Sequence, residues 1–143
     1  MRLWHQKLIP YLDNKRLLGQ HRECCALRGK GWGKKHSVVD YVFKHTPSHL
    51  YEYHLLVMQE MMHRNYNVDG HWYGRLYRGK NVAPYHSLSE SGTFTCADGH
   101  IYDEHDNAYL KECLLNLKSK GACLVNGASI EKMLIEIELN EHA

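Results

Sequence analysis

The chain has 143 residues, of which 43% are hydrophobic, and a formal net charge of +2. This length suffices for one compact domain whose core is stable without disulfides or metal. The five cysteines are odd in number and form no CxxC pair, and the amino terminus lacks the apolar stretch of a signal peptide or membrane span. We therefore expect one domain over residues 1–143, reduced thiols and a cytoplasmic location, which argues against a disulfide scaffold or a membrane protein.

The first predicted helix runs from about Asp13, a suitable N-cap residue, to about Leu27. Arg16 and Glu23 are seven residues apart, so they share one stripe of this helix, and Gln20 lies between them. One rim of the helix is therefore polar and is a candidate functional face.

A second helix is predicted to begin after Thr46 as N-cap, with Pro47 in its first turn, and to end near residues 65–67. Apolar residues and His54 recur along one broad face of this segment. The spacing of its methionines and aromatic residues is that of a buried core stripe rather than of a ligand site.

The remaining chain is predicted to contain long loops and two further helices. Residues 67–102 show no sustained period and are predicted to be loops. A third helix is predicted from Asp103 to Lys120, because acidic residues at its start and lysines at its end match the helix dipole. Ser129 to about Leu139 is predicted to be helical, although residues 135–139 alternate like a strand. The predicted fold is therefore mainly α.

Charge is distributed unevenly along the chain. Residues 1–46 contain ten Lys or Arg and three Asp or Glu, whereas residues 47–143 contain eight and thirteen. In residues 28–35, glycines would let backbone amides approach phosphates, cations supply charge, and the Trp32 ring can stack on a base. An ordinary solvated basic face is the alternative. The pattern favours a nucleic-acid-binding surface in the amino-terminal half.

The residues alone raise two other possibilities, a metal site and a structural or regulatory protein that docks a partner. Two groups combine histidine with cysteine: His21 with Cys24 and Cys25, and Cys96 with His100 and His105. Neither has the paired ligand spacing of known zinc sites, so we predict no metal. The apolar and acidic residues 133–139 would suit a structural or regulatory protein that docks a partner through this helix.

Four segments together point to a known family: Met1-Arg2-Leu3, then Leu17-Leu18 with His21-Arg22-Glu23, then residues 50–68, and finally Tyr77-Arg78-Gly79 with Pro84-Tyr85-His86. With these residues the chain resembles the pyrimidine-dimer DNA glycosylase family typified by phage endonuclease V. The resemblance implies a compact helical single domain with long loops and with the amino-terminal segment inserted between helices. It implies no metal or organic cofactor, and damaged double-stranded DNA as the partner of a monomer.

The resemblance also implies a reaction and the residues that carry it. An α-amine attacks C1′ of the damaged nucleotide, a Schiff base forms, and β-elimination cleaves the strand. Because Arg2 should block removal of the initiator residue, the amine belongs to Met1, with Glu23 as the acid and base. Arg22 completes the implied catalytic group as a phosphate or lesion contact. The predicted DNA-binding residues, including those of the basic segment, are Arg2, Arg16, His21, Arg28, Lys30, Trp32, Lys34 and Lys35.

One departure from the family concerns the substrate. Phage-type members contact the lesion through an aromatic-rich carboxy terminus, whereas Glu131–Glu141 here is acidic and contains no aromatic residue. The expected substrate is accordingly a pyrimidine dimer, another damaged base or an abasic site. The main alternative is a non-catalytic nucleic-acid-binding module that uses the basic amino-terminal half.

Overall fold

The computed structural model describes residues 3–33, 40–88 and 100–141. Within these ranges lie four α-helices: α1 (Asn14–Arg28), α2 (Pro47–His63), α3 (Asn107–Ser119) and α4 (Ile130–Glu141). Shorter 3-10 helices span Gln6–Tyr11, Asp40–Lys44 and Gly70–Tyr73. The same ranges contain no β-strand, so the prediction of a mainly α fold is confirmed. None of the helices found there is both long and apolar enough to cross a membrane.

Helix α1 begins and ends where the sequence indicates. The Asp13 carboxylate accepts a hydrogen bond from the backbone N–H of Arg16 at 2.9 Å, which satisfies a donor of the first turn. At the other end, the N–H of Gly29 donates to the carbonyl of Cys25 at 3.2 Å. The predicted N-cap and the predicted end are both confirmed.

Helix α2 also follows its prediction, with two local differences. Pro47 occupies the first turn, but the Thr46 hydroxyl lies 2.9 Å from His49 Nδ1 and makes no hydrogen bond to the helix backbone. The helix stops at His63, slightly before the predicted end, and Asn65 then adopts the left-handed conformation with φ 68°. Asparagine tolerates this conformation, which commonly terminates helices.

The amino-terminal segment is inserted between the helices, as the resemblance implies. The N–H of Trp4 donates to Gln20 Oε1 of α1 at 2.7 Å, and the Tyr53 hydroxyl of α2 donates to the Trp4 carbonyl at 2.5 Å. The Tyr109 hydroxyl of α3 donates to the Leu3 carbonyl at 2.6 Å. Leu3 and Trp4 are both buried in the core. Three helices therefore hold the backbone of this segment through side-chain hydrogen bonds.

A buried pair of histidines supports the same segment. The rings of His5 and His105 stack with centroids 5.1 Å apart. His105 Nδ1 accepts from the N–H of Gln6 at 3.1 Å, and its Nε2 lies 2.8 Å from the Tyr41 hydroxyl. Burial lowers the pKa of His5 to about 4 and that of His105 to about 3. Both rings are therefore neutral near pH 7.

The predicted start of α3 at Asp103 is wrong by four residues. The helix begins at Asn107, and the Asp106 carboxylate caps it by accepting from the N–H of Tyr109 at 2.8 Å. His105 lies in the buried stack, so the chain before Asp106 forms turns rather than the first turn of the helix. The tertiary contact of His105 therefore explains why α3 begins later than predicted.

The strand-like alternation of residues 135–139 does not produce a strand. Helix α4 continues to Glu141, with Ile130 and Ile137 buried and Ile135 and Leu139 mostly exposed. The two buried residues are seven apart and lie on one helical face, and α4 packs against α3. Packing of that face decides in favour of the helix.

Candidate active site

A cleft of about 330 Å³ runs along one side of α1. The amino-terminal segment and the residue after α3 complete its walls, so elements distant in sequence meet there. Its lining consists of Trp4, Lys15, Arg16, Gly19, Gln20, Arg22, Glu23 and Lys120. Three residues predicted to function, Arg16, Arg22 and Glu23, are therefore brought together.

The cleft is strongly cationic around one carboxylate. Its lining contains the cations of Lys15, Arg16, Arg22 and Lys120, whereas Glu23 is the one acidic residue among the lining residues. Glu23 is half-buried with a buried Oε1 atom, and Arg22 is exposed. Such a surface attracts a polyanion and holds one carboxylate among several cations.

Arg16 has part of its charge neutralised within α1. Its Nη1 atom lies 2.7 Å from an Asp13 carboxylate oxygen, and both side chains are partly buried. Arg22 is six residues further along the helix, where it lines the cleft and is exposed.

The placement of Arg28 contradicts its predicted role as a DNA contact. The side chain is buried, with 4% exposure. Its guanidinium donates to the carbonyls of Trp72, Gly74 and Tyr77 at 2.8, 2.9 and 3.0 Å, and Nη1 also lies 2.9 Å from His54 Nδ1. These partners occupy the donors that a phosphate would need. Arg28 therefore joins α1, α2 and the following loop, and its burial and desolvation lower its pKa.

The glycines after α1 also have a structural explanation. The N–H of Gly31 donates to the Ala26 carbonyl at 2.9 Å, so this amide is not available to a phosphate. A Cβ atom at Gly31 would lie 2.7 Å from the same carbonyl oxygen, which only glycine avoids. Trp32 is half-buried against Phe43, with ring centroids 5.1 Å apart, whereas Lys30 is exposed. Met1, Arg2, Lys34 and Lys35 lie outside the described residues.

His21 lies on the other side of α1 from the cleft. At 100° per residue, His21 and Cys25 are about 140–180° around the helix axis from Arg16 and Glu23. His21 Nδ1 lies 2.8 Å from His54 Nε2, and Cys25 Sγ lies 3.9 Å from the same two nitrogens. Burial lowers the pKa of both histidines. The structure therefore groups His21 with a second cluster, not with the candidate cleft.

Some residues of these two sites were missed by sequence reasoning. Helical spacing could have predicted Lys15, because this residue is four positions before Gly19 and eight before Glu23 and so lies on the same rim of α1. No sequence pattern predicts Lys120 as a cleft residue, because only tertiary packing brings the carboxyl end of α3 to this cleft. His54 was interpreted as part of a core stripe. The residue is indeed buried, but its ring also makes a polar contact with His21 that the stripe did not predict.

Comparison with known proteins identifies one family. Residues 1–74 match the family described as pyrimidine dimer DNA glycosylase. This stretch is just over half of the chain and includes α1, α2 and every lining residue of the cleft except Lys120. No curated protein and no solved structure matches the chain.

Proposed function

This chain belongs to the pyrimidine dimer DNA glycosylase family, and from this premise we propose that it excises a damaged base and then cleaves the abasic strand. The proposed nucleophile is the α-amine of Met1, and Glu23 is the proposed acid and base. The proposed substrate is duplex DNA with a pyrimidine dimer, a related lesion or an abasic site.

The proposed reaction balances with these two groups. The neutral amine attacks C1′, the glycosyl bond breaks, and the base leaves with a proton. The sugar ring opens and the nitrogen forms a protonated Schiff base with C1′. Loss of a C2′ proton to a base then expels the 3′ phosphate by β-elimination. A carboxylate beside the amine can transfer each of these protons in turn.

The observation that carries the proposal is the meeting of the amino-terminal segment with Glu23 in one cationic cleft. Trp4 lines the cleft, and its N–H is bonded to Gln20 of the same lining. Leu3 is two residues from Met1, and two extended residues span about 7 Å at most. An α-amine also has an ordinary pKa of about 7.7–8.0, so roughly a tenth of it is neutral at pH 7. These features support an amine near the Glu23 carboxylate.

Borohydride trapping tests the proposal directly. The protein is incubated with abasic or ultraviolet-damaged duplex and sodium borohydride, which reduces a Schiff base to a stable amine. We expect a covalent protein–DNA adduct that maps to residue 1. An unmodified amino terminus that forms no adduct would overturn the Schiff-base reaction. Binding without an adduct would instead support the alternative of a non-catalytic DNA-binding module.

We predict that DNA binding weakens steeply with salt and that Arg22→Ala makes this dependence shallower. Because each neutralised phosphate releases counterions, loss of one contact should reduce the slope of log K against log salt by about 0.9. Fluorescence anisotropy with a duplex at several salt concentrations measures the slope. Lys132→Ala is the matched control, since Lys132 is exposed on α4 and lies outside the cleft lining. Equal slopes for Arg22→Ala and wild type would contradict a phosphate contact.

A further inference from the structure

A second cluster of reactive side chains lies between α1 and α2. His21 and Cys25 are one turn apart on α1 and face His54 of α2. Each histidine offers one ring nitrogen and the cysteine offers its Sγ atom, and these three atoms all lie within 4.8 Å of one another. His21 and Cys25 are half-buried and His54 is fully buried, so solvent reaches the cluster only in part.

We propose that His21, Cys25 and His54 bind one thiophilic metal ion, and that the neighbouring Arg28 makes Cu(I) the preferred ion. One thiolate and two imidazoles are ligands that both copper and zinc accept. Metal–ligand bonds of about 2.0–2.3 Å require ligand atoms roughly 3.3–3.6 Å apart in a tetrahedral arrangement. The observed separations are 2.8 Å between the histidine nitrogens and 3.9 Å from each nitrogen to sulfur. Cys25 Sγ also lies 3.8 Å from His21 Nε2, so the sulfur faces the His21 ring. Shifts of about half an ångström, together with a rotation of the His21 ring that directs Nδ1 at the ion, would therefore admit an ion.

The two helices hold the ligands in place before any ion binds. His21 and Cys25 share the rigid backbone of α1, and α2 packs directly against that helix. The ring of His54 is further held by Trp72, with centroids 5.9 Å apart. Little conformational freedom has to be lost when the ion binds, which favours affinity.

Arg28 determines the charge of the preferred ion. Its guanidinium is buried, and no carboxylate in the described ranges lies within ion-pair distance of it. A Cys25 thiolate would supply the missing negative charge near this cation. A monovalent ion replaces the thiol proton and leaves the net charge of the cluster unchanged. A divalent ion would add one uncompensated charge in a poorly solvated place, which is costly.

The proton balance follows from the hydrogen bonds. Arg28 donates to His54 Nδ1 at 2.9 Å, so His54 carries its proton on Nε2 and donates it to His21 Nδ1. To coordinate through Nε2, His54 must move this proton to Nδ1, which ends the hydrogen bond from Arg28 Nη1 to Nδ1, because both atoms are then donors. Arg28 Nη1 keeps its other bond, to the Trp72 carbonyl. The thiol proton of Cys25 is released to solvent. No oxidant or reductant takes part in the step.

Anaerobic titration of the full chain with Cu(I) against a chromophoric competitor tests the site without DNA. We expect one ion per wild-type chain and at least a tenfold loss of affinity for Cys25→Ser and for His54→Gln. The matched control is Cys123→Ser, because Cys123 is an exposed free cysteine and its loss should leave affinity unchanged. Circular dichroism of each variant verifies folding, and His21→Asn, at a half-buried position, provides a third ligand deletion.

Three results would overturn the proposal. Equal affinity of wild type and Cys25→Ser, or loss of binding in Cys123→Ser, would show that the ion binds elsewhere. A thiolate-to-cobalt absorption band with Co(II), together with no retention of Cu(I), would refute the preference for a monovalent ion. Nitrogen NMR provides an independent signature, since Cu(I) should convert His54 Nδ1 from an acceptor to an N–H. Failure of borohydride trapping would leave all these measurements unaffected.

Discussion

Replacing Glu23 with glutamine is expected to lower the rate of strand cleavage at an abasic site by about 10²- to 10⁴-fold, the usual contribution of a general acid–base group. Glutamine keeps the size of the side chain but cannot accept a proton from C2′ or return one to the leaving group. The half-buried position and the surrounding cations of the cleft suit the carboxylate for this work. Single-turnover cleavage of an abasic duplex gives the rate.

The same variant separates chemistry from binding. Glu23→Gln should still form the borohydride-trapped adduct, because the amine remains, while the elimination step slows. Glu138→Gln is the matched control, since Glu138 is exposed on α4 and is not among the lining residues of the cleft. Cleavage by Glu23→Gln at the wild-type rate would refute the proposed role of the carboxylate.

Acidification from pH 7 to pH 5 is expected to lower the free energy of unfolding by about 2 to 4 kcal/mol, through His5 and His105. Their pKa values are lowered to about 4 and about 3 in the folded protein, against an ordinary value of 6.5. The unfolded chain therefore binds protons first as the pH falls below 6.5. The contribution of the two histidines to stability is complete above that value and is lost progressively down to about pH 3, the lower of the two folded-state pKa values.

Urea unfolding at several pH values measures this effect. His105→Gln should flatten the dependence, whereas His63→Gln, at an exposed position at the end of α2, should leave it unchanged. Because the stack supports the amino-terminal segment, DNA cleavage should fail over the same pH range. Stability that stays constant between pH 7 and pH 5 would show that the two rings do not remain neutral in the fold.

Local signals in the sequence were sufficient where short-range interactions decide the structure. Asp13 and Gly29 delimit α1 because a capping carboxylate and a terminal glycine act within a few residues. Pro47 marks the start of α2 for the same reason. The stripe of Arg16 and Glu23 was also predictable, since helical periodicity alone places both on one rim.

Long-range contacts produced the differences between prediction and structure. His105 joins the buried stack and moves the start of α3, and packing on α3 keeps α4 helical through residues 135–139. Arg28 looked like a surface cation, but carbonyls of the loop after Gly70 enclose it. Nothing in the neighbouring residues indicates such partners, because they come from more than forty residues away.

The sequence by itself determined the helical framework, the family and the position of Glu23 on a polar rim, because caps, periodicity and motifs are local properties. Only the tertiary structure decided which cations from outside that rim share the cleft with Glu23 and which do not. In the folded chain Lys120, just after α3, lines the cleft, whereas Arg28 is buried in the core. His21 lies beside Cys25 and His54 on the opposite side of α1. These side chains become neighbours because segments distant in the sequence pack together, and no local sequence pattern predicts such packing.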